Sequence, residues 1–175
     1  MIRNSTSTYG SVAKFFHWVL FVLIGGMLVF GYFLDDFPKD VQPLTYNIHK
    51  LTGLTILLLM VLRLCWKLIN PTPVLPADTK PWERKAEHLV QYGLYFFLLL
   101  MPIVGWIGSC AAGHPPRLGD FEFNLPIAQS KTVDDVAFWL HNNIALVLIA
   151  LVSIHFVAAL FHYFIKRDNV LRRML

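Results

Sequence analysis

Charged side chains are what this sequence has least of: 15% of its 175 residues are Asp, Glu, Lys or Arg. A soluble domain of similar size carries about a quarter. The shortage is concentrated, since residues 15–34, 51–62, 89–112 and 136–165 contain none of the four. Together with 56% apolar residues and a mean hydropathy of +0.55, these gaps exclude a chain with a fully water-facing surface. Spanning a hydrocarbon core takes about 20 residues at 1.5 Å rise each. Three of the runs are long enough alone, and the second becomes so with its flanks. The prediction is an all-α membrane protein, a single four-transmembrane-helix bundle over residues 1–175, with spans at about 15–34, 46–66, 88–110 and 139–165.

Other absences narrow the reading. There are only two cysteines, Cys65 and Cys110, at opposite ends of the predicted bundle. They would lie a bilayer apart, beyond the ~7 Å limit for a disulfide, and two thiols do not make a metal cluster. No A-x-A-like cleavage site follows the first apolar run before Asp35, and that run is longer than a usual signal-peptide core, so it is expected to stay as a span. The N-terminus offers only Arg3 and Lys14 as basic residues, which does not suggest mitochondrial-type targeting. There is no repeat, no low-complexity segment and no feature that points to nucleic acid; membrane lipids are the expected surroundings.

The few charges that are present are unevenly placed. Arg3, Lys14, Arg63, Lys67, Lys80, Arg84, Lys85, Lys166, Arg167, Arg172 and Arg173 fall on the side of the termini and second loop. Lys39, Lys50, Arg117 and Lys131 are the only four on the other side, against eleven. The positive-inside rule therefore puts both termini in the cytoplasm. Trp18, Trp66, Trp82, Trp106 and Trp139 fall near helix ends, where an indole can bury its ring and keep its N–H wet. Pro71, Pro73 and Pro76 mark the second loop, and Gly113-His114-Pro115-Pro116 opens the third, whose residues 121–127 are expected on the membrane surface. Pro102 should kink the third span, with Gly105 allowing close packing.

Against this apolar background seven histidines stand out. Ionisable residues inside a membrane are costly and usually face the bundle interior. His17 falls near the inner end of the first span and His49 near the outer end of the second. His141 lies at the outer end of the fourth, with His155 fourteen residues on. Fourteen residues advance a helix by ~21 Å and return it to nearly the same face. His49 thus matches His141 in depth, and His17 matches His155. Two opposed imidazole pairs, one in each half of the bilayer, are what two bis-histidine b haems require. A lone intramembrane histidine is often just a hydrogen-bond donor between helices, but two depth-matched pairs are harder to explain that way. Zinc would want a carboxylate or thiolate at the same depth, and neither is there.

Arg63 lies fourteen residues after His49, hence at the depth of His155, and the spans supply no carboxylate for it. A haem propionate would suit its fork; the competing reading is an arginine that snorkels to the headgroups. Gly53, one turn from His49, and Gly31, fourteen residues after His17, would leave room for a flat porphyrin, although ordinary helix packing also favours glycine.

The order H-W (His17-Trp18), then H-K-x-x-G (residues 49–53) followed by Arg63, resembles the bacterial cytochrome b561 family. So do L-M-P-I-V-G (residues 100–105) and the closing H-F-V-A-A-L-F-H-Y-F-I-K-R-D-N-V-L-R-R-M (residues 155–174). The resemblance covers nearly the whole chain, and its C-terminal motif is the most specific part. It implies a four-helix bundle in a bacterial inner membrane, with His49 and His141 ligating a periplasmic haem b and His17 and His155 a cytoplasmic one. The family resembles the b-haem subunits of membrane hydrogenases and formate dehydrogenases. One member is known as a superoxide oxidase that reduces ubiquinone, so superoxide:quinone oxidoreduction is the activity implied; on charge alone, Lys50, beside His49, and Arg117 are the residues that could steer the anion locally. The outer side works against this: its four cations face Asp35, Asp36, Asp40, Asp120, Glu122, Asp134 and Asp135, a net charge of −3. An electron-transfer subunit relaying between quinone and an unidentified redox partner is the alternative. His88 and His162, near the inner interface, are candidates for hydrogen-bonding or protonating the quinone, or are merely interfacial. His114 is given no role.

Overall fold

The computed structural model describes residues 1–76 and 79–175. Its helices are α1 (Ser11–Tyr32), α2 (Gln42–Leu68), α3 (Pro81–Ala111) and α4 (Lys131–Phe161). All four are long and apolar enough to cross a membrane. Even the shortest, with 22 residues, is about 33 Å long at 1.5 Å per residue and matches a ~30 Å hydrocarbon core. The helices reach beyond the uncharged runs because their starts are polar but well formed. Proline stands in the first turn of α2 and of α3, where its missing N–H costs nothing. The Ser130 hydroxyl accepts the Val133 N–H at the start of α4. Helix α3 runs unbroken through Pro102.

Consecutive helices pack on one another, α1 on α2, α2 on α3 and α3 on α4. The α3–α4 seam is tight: a Cβ added at Gly108 would stand 3.0 Å from the Ala137 Cβ. Two small buried clusters form the core. Val104, Ala137, Ile144 and Leu148 lie between α3 and α4, while Leu20, Ile56 and Met60 join α1 to α2. Leu98 of α3 touches both. Apolar side chains such as Val22, Leu58 and Leu146 are exposed, as lipid-facing residues must be. Helix α4 packs mainly on α3, and it meets α1, one of the two helices that carry the other candidate ligands, through the stacked rings of Phe21 and Phe156.

At one end of the bundle, Arg117–Leu118 and Phe121–Glu122 form a two-stranded hairpin, so part of the stretch expected on the membrane surface is a strand. Gly119 at φ 60° makes the tight reversal possible. Asn47 clamps the hairpin to α2, donating to the Arg117 carbonyl and accepting the Arg117 N–H, each at 2.8 Å. At the other end the chain termini and second loop are knitted together. Asn4 Nδ2 donates to the Pro71 carbonyl at 3.0 Å, the Val74 N–H to Thr6 at 2.8 Å, and Arg173 Nη1 to Val74 at 2.5 Å.

The tryptophans do not all behave as wet interfacial anchors. Trp18 Nε1 donates to the Met174 carbonyl at 2.8 Å and Trp106 Nε1 to the Phe123 carbonyl at 2.6 Å. Trp66 Nε1 is buried with no hydrogen-bond partner among the described residues. Around Trp66 and Trp106 the indole N–H meets a cavity wall or a carbonyl, whereas Trp82 and Trp139 stay exposed. Cys65 and Cys110 are both free thiols.

Candidate functional site

The structure brings the four intramembrane histidines together as two pairs. His49 of α2 faces His141 of α4 with ring centroids 6.1 Å apart and planes at 68°. His17 of α1 faces His155 of α4 at the same 6.1 Å, with planes at 65°. Two imidazoles bonded at about 2 Å to opposite sides of one metal ion place their centroids roughly 6 Å apart. Among the described residues no three His, Cys, Asp or Glu side chains converge, so a tetrahedral zinc site is not built. Paired axial ligation of a flat plate is the arrangement these residues fit.

In the layer of His49 and His141, which the charge bias of the sequence assigns to the outer side, His141 Nδ1 lies 3.2 Å from the Met101 carbonyl. A carbonyl only accepts, so the proton sits on Nδ1 and Nε2 keeps its lone pair for a metal. His49 Nδ1 is buried without a partner. Two glycines make room for the rings. A Cβ at Gly105 would stand 2.9 Å from His141 Cε1 and Nδ1, and one at Gly31 would stand 3.1 Å from His49 Cε1. Gly31 therefore clears space for an imidazole, where the sequence suggested space for a porphyrin. Gly53 does open onto free space, with nothing within 4 Å of its Cβ position. His49, His141, Lys50, Gly31, Gly53 and Gly105 help line a cavity of about 1360 Å³. That exceeds the ~300–1,000 Å³ of usual ligand pockets.

The inner layer is narrower. His17, His155, Arg63, Trp66, Lys67 and Tyr95 help enclose about 190 Å³. The Arg63 guanidinium takes up part of this space, with Nη2 3.2 Å from His17 Nδ1. The depth match expected for Arg63 is met, but its contact in this structure is an imidazole and not an anion.

Lys50 lines the outer cavity, and its ammonium donates to the His114 carbonyl at 2.7 Å. His114, to which the sequence assigned nothing, thus ties the third loop to α2 through its backbone. His88 stacks on Tyr92 of its own helix at 5.9 Å, apart from both histidine pairs. His162 follows α4 in a widely wound turn, His162–Lys166, after which Arg167 at φ 54° reverses the chain. The reversal brings Asp168 back, and its Oδ2 accepts a hydrogen bond from His162 Nδ1 at 2.5 Å. Burial would raise the Asp168 carboxyl, but the His162 bond and the Val170 N–H outweigh it and hold the pKa below its ordinary value. Nearby, Lys166 Nζ meets Glu83 Oε2 at 2.6 Å, joining the end of α4 to the start of α3.

Sequence reasoning missed Met101, Gly105 as a neighbour of His141, and the part taken by Trp66 and Lys67 in the inner cavity. A signal existed for the last two. They follow Arg63 by three and four residues, the spacing that places side chains on one helix face.

Residues 8–175 match the family described as prokaryotic cytochrome b561. The chain is similar to Cytochrome b561 homolog 2 of Escherichia coli K12, with 29% identity over 175 residues, covering 98% of this chain and 93% of the relative. It is 28% identical over 141 residues to a protein of Yersinia pestis named Probable superoxide oxidase CybB, covering 79% of this chain and 78% of that one. It is also 28% identical over 172 residues to Cytochrome b562 of Cereibacter sphaeroides, covering 91% and 89% respectively. The chain belongs to the prokaryotic cytochrome b561 family, multi-pass bacterial membrane proteins that bind haem b and carry electrons across the membrane.

Proposed function

We propose that this chain conducts electrons through two b haems, taking them from superoxide at the outer face and delivering them to ubiquinone. The observation that carries the reading is the pair of imidazole couples, each with 6.1 Å between centroids, one above the other in the bundle. His49 and His141 would hold the outer haem, with Gly53 beside its plate, and His17 and His155 the inner one, with Arg63 at its propionates. A bis-imidazole haem supplies a one-electron site whose iron is closed to substrate. Each superoxide ion gives up one electron and leaves as dioxygen; ubiquinone takes up two electrons and two protons.

The chain's own residues set the rest. The Lys50 ammonium, one residue from His49, puts a fixed positive charge in the wall of the outer cavity, where it attracts an anion. His162, held through Nδ1 by Asp168, would donate Nε2–H to a quinone oxygen when both ring nitrogens carry protons, and His88 lies near the same end of the bundle. The excess of Lys and Arg around the termini supports a cytoplasmic placement of both, in the inner membrane. The Yersinia relative's name supports the choice of donor.

A second reading has its own support. The net charge of −3 on the outer loops repels superoxide and suits a basic redox protein as the donor. Stopped-flow mixing of the purified, oxidised chain with superoxide separates the two. Haem reduction without any partner protein, followed by reoxidation with ubiquinone, is expected. No reduction by superoxide would leave the relay reading.

A further inference from the structure

The two cavities differ in charge as well as in size. Lys39, Lys50 and Arg117 line the outer one together with Asp35, Asp134 and Asp135, so its walls are balanced. Arg63 and Lys67 line the inner one, and among the described residues no carboxylate does so. Glu87 lies outside this lining; its Oε1 accepts from Gln91 Nε2 at 2.8 Å, and Gln91 lines the cavity.

Neither inner cation makes an ion pair among the described residues. Aromatic faces hold them instead. Lys67 Nζ lies 4.5 Å from the Tyr95 ring centroid and 5.5 Å from that of Tyr92, and the Arg63 guanidinium lies 5.8 Å from Tyr95. Between them on the same face of α2 stands Trp66, whose Nε1 is buried and unpartnered. A buried donor normally finds an acceptor, and the Trp66 N–H has none; with the half-buried Arg63 and Lys67 on the same helix face around one cavity, an anion there would accept from all three.

We propose that Arg63, Trp66 and Lys67 together seat the propionates of the inner haem and hold it at a higher reduction potential than the outer haem. The proposal rests on the two-haem reading above. Its physical basis is that ferric haem carries one more positive charge than ferrous haem. Uncompensated cations in the cavity wall therefore disfavour the oxidised form and raise the potential. In the outer cavity the wall is neutral and the propionates keep their full negative charge, which favours the oxidised form. Electrons that arrive at the outer haem then run downhill to the inner one.

A potentiometric titration of the purified holoprotein tests this, after a pyridine haemochrome count has established two haems per chain. A count of one or none would defeat the two-haem reading and never reach the potentials. With two haems present, two potentials are expected, and the haem that remains in His155→Ala should titrate at the lower. Lys67→Gln should lower the higher potential alone, and Lys67→Arg should restore it. Trp66→Phe removes no charge, so it should shift the propionate bending band in resonance Raman while moving the potential much less. If Lys67→Gln leaves the higher potential where it was, or moves the lower one, the proposal is wrong. If the Raman band is unmoved and co-purifying anionic lipid falls instead, the anion is a lipid phosphate and the proposal is equally wrong.

Discussion

Arg63 Nη2 and His17 Nδ1 stand 3.2 Å apart, and the guanidinium can only be the donor. His17 Nδ1 then carries the lone pair, and in the neutral ring the proton lies on Nε2. An imidazole needs a lone pair on the nitrogen that meets a metal. This bond and ligation through Nε2 therefore exclude each other. A haem held between His17 and His155 would need the His17 proton on Nδ1, and Arg63 would then be free for its propionates. Arg63→Leu is expected to lower the potential of the inner haem and leave the outer one in place. Redox titration checks it; two unmoved potentials would mean that Arg63 only reaches for headgroups.

The outer pair should be sensitive to a methyl group. At Gly105 the added Cβ would sit 2.9 Å from two atoms of the His141 ring, closer than such atoms come. The ring is also pinned by the Met101 carbonyl, so it cannot give way freely. Gly105→Ala is expected to cost about 1–3 kcal/mol of overpacking and to reduce occupancy of the outer haem selectively. Gly31→Ala, at 3.1 Å from a single atom of His49, should be milder. Haem content and the two potentials, measured for both variants, check the order.

The pairing of His17 with His155 and of His49 with His141 was legible in the sequence because depth follows from residue count along a regular helix. Fourteen-residue spacing also put Arg63 in the layer of His17 and His155, where its Nη2 lies 3.2 Å from His17 Nδ1. The electrostatic wall of the inner cavity was not legible in the same way. Trp66 looked like an interfacial anchor, and only the fold of the terminal segments over that end shows its N–H cut off from water. The Lys50–His114 bond depends on a loop reaching back across the bundle to α2, a long-range contact that no local periodicity encodes. Gly31 shows the reverse error. Its spacing was read against His17, whereas its neighbour in space is His49.

If superoxide is the donor, Lys50→Glu should slow haem reduction by superoxide, most strongly at low ionic strength where screening is weak. Reversing this charge also breaks the bond to the His114 carbonyl, so Lys50→Gln serves as the control for loop loosening. Gln should slow the reaction less than Glu does, and dithionite-reduced spectra should stay normal in both. Equal rate constants for all three proteins at low salt would place the encounter elsewhere.

The last prediction separates His155 from His162. Counted along a regular helix, both continue the stripe that begins with His141, so residue spacing does not choose between them. The structure gives each a different neighbour. His155 faces His17 across the inner layer, whereas His162 lies beyond the regular helix and donates to Asp168 at 2.5 Å. Asp168 has a folded-state pKa below its ordinary value, so its charged form is favoured by folding. That contribution is complete above the unfolded carboxylate pKa and is lost only as pH falls through the lower folded value. At neutral pH the His162–Asp168 bond is therefore intact, and its loss in the strongly acid range should release the C-terminal turn before the bundle opens. His155→Ala should leave about one haem per chain, because a bis-histidine site does not survive the loss of one axial ligand. His162→Ala and Asp168→Asn should both keep two haems and normal reduction by superoxide. Both should slow reoxidation by ubiquinone, His162→Ala the more. Pyridine haemochrome counts and ubiquinone reoxidation rates on the three variants decide it. A single haem in His162→Ala, with two in His155→Ala, would reverse the assignment of the inner ligand and move the quinone away from this end of α4.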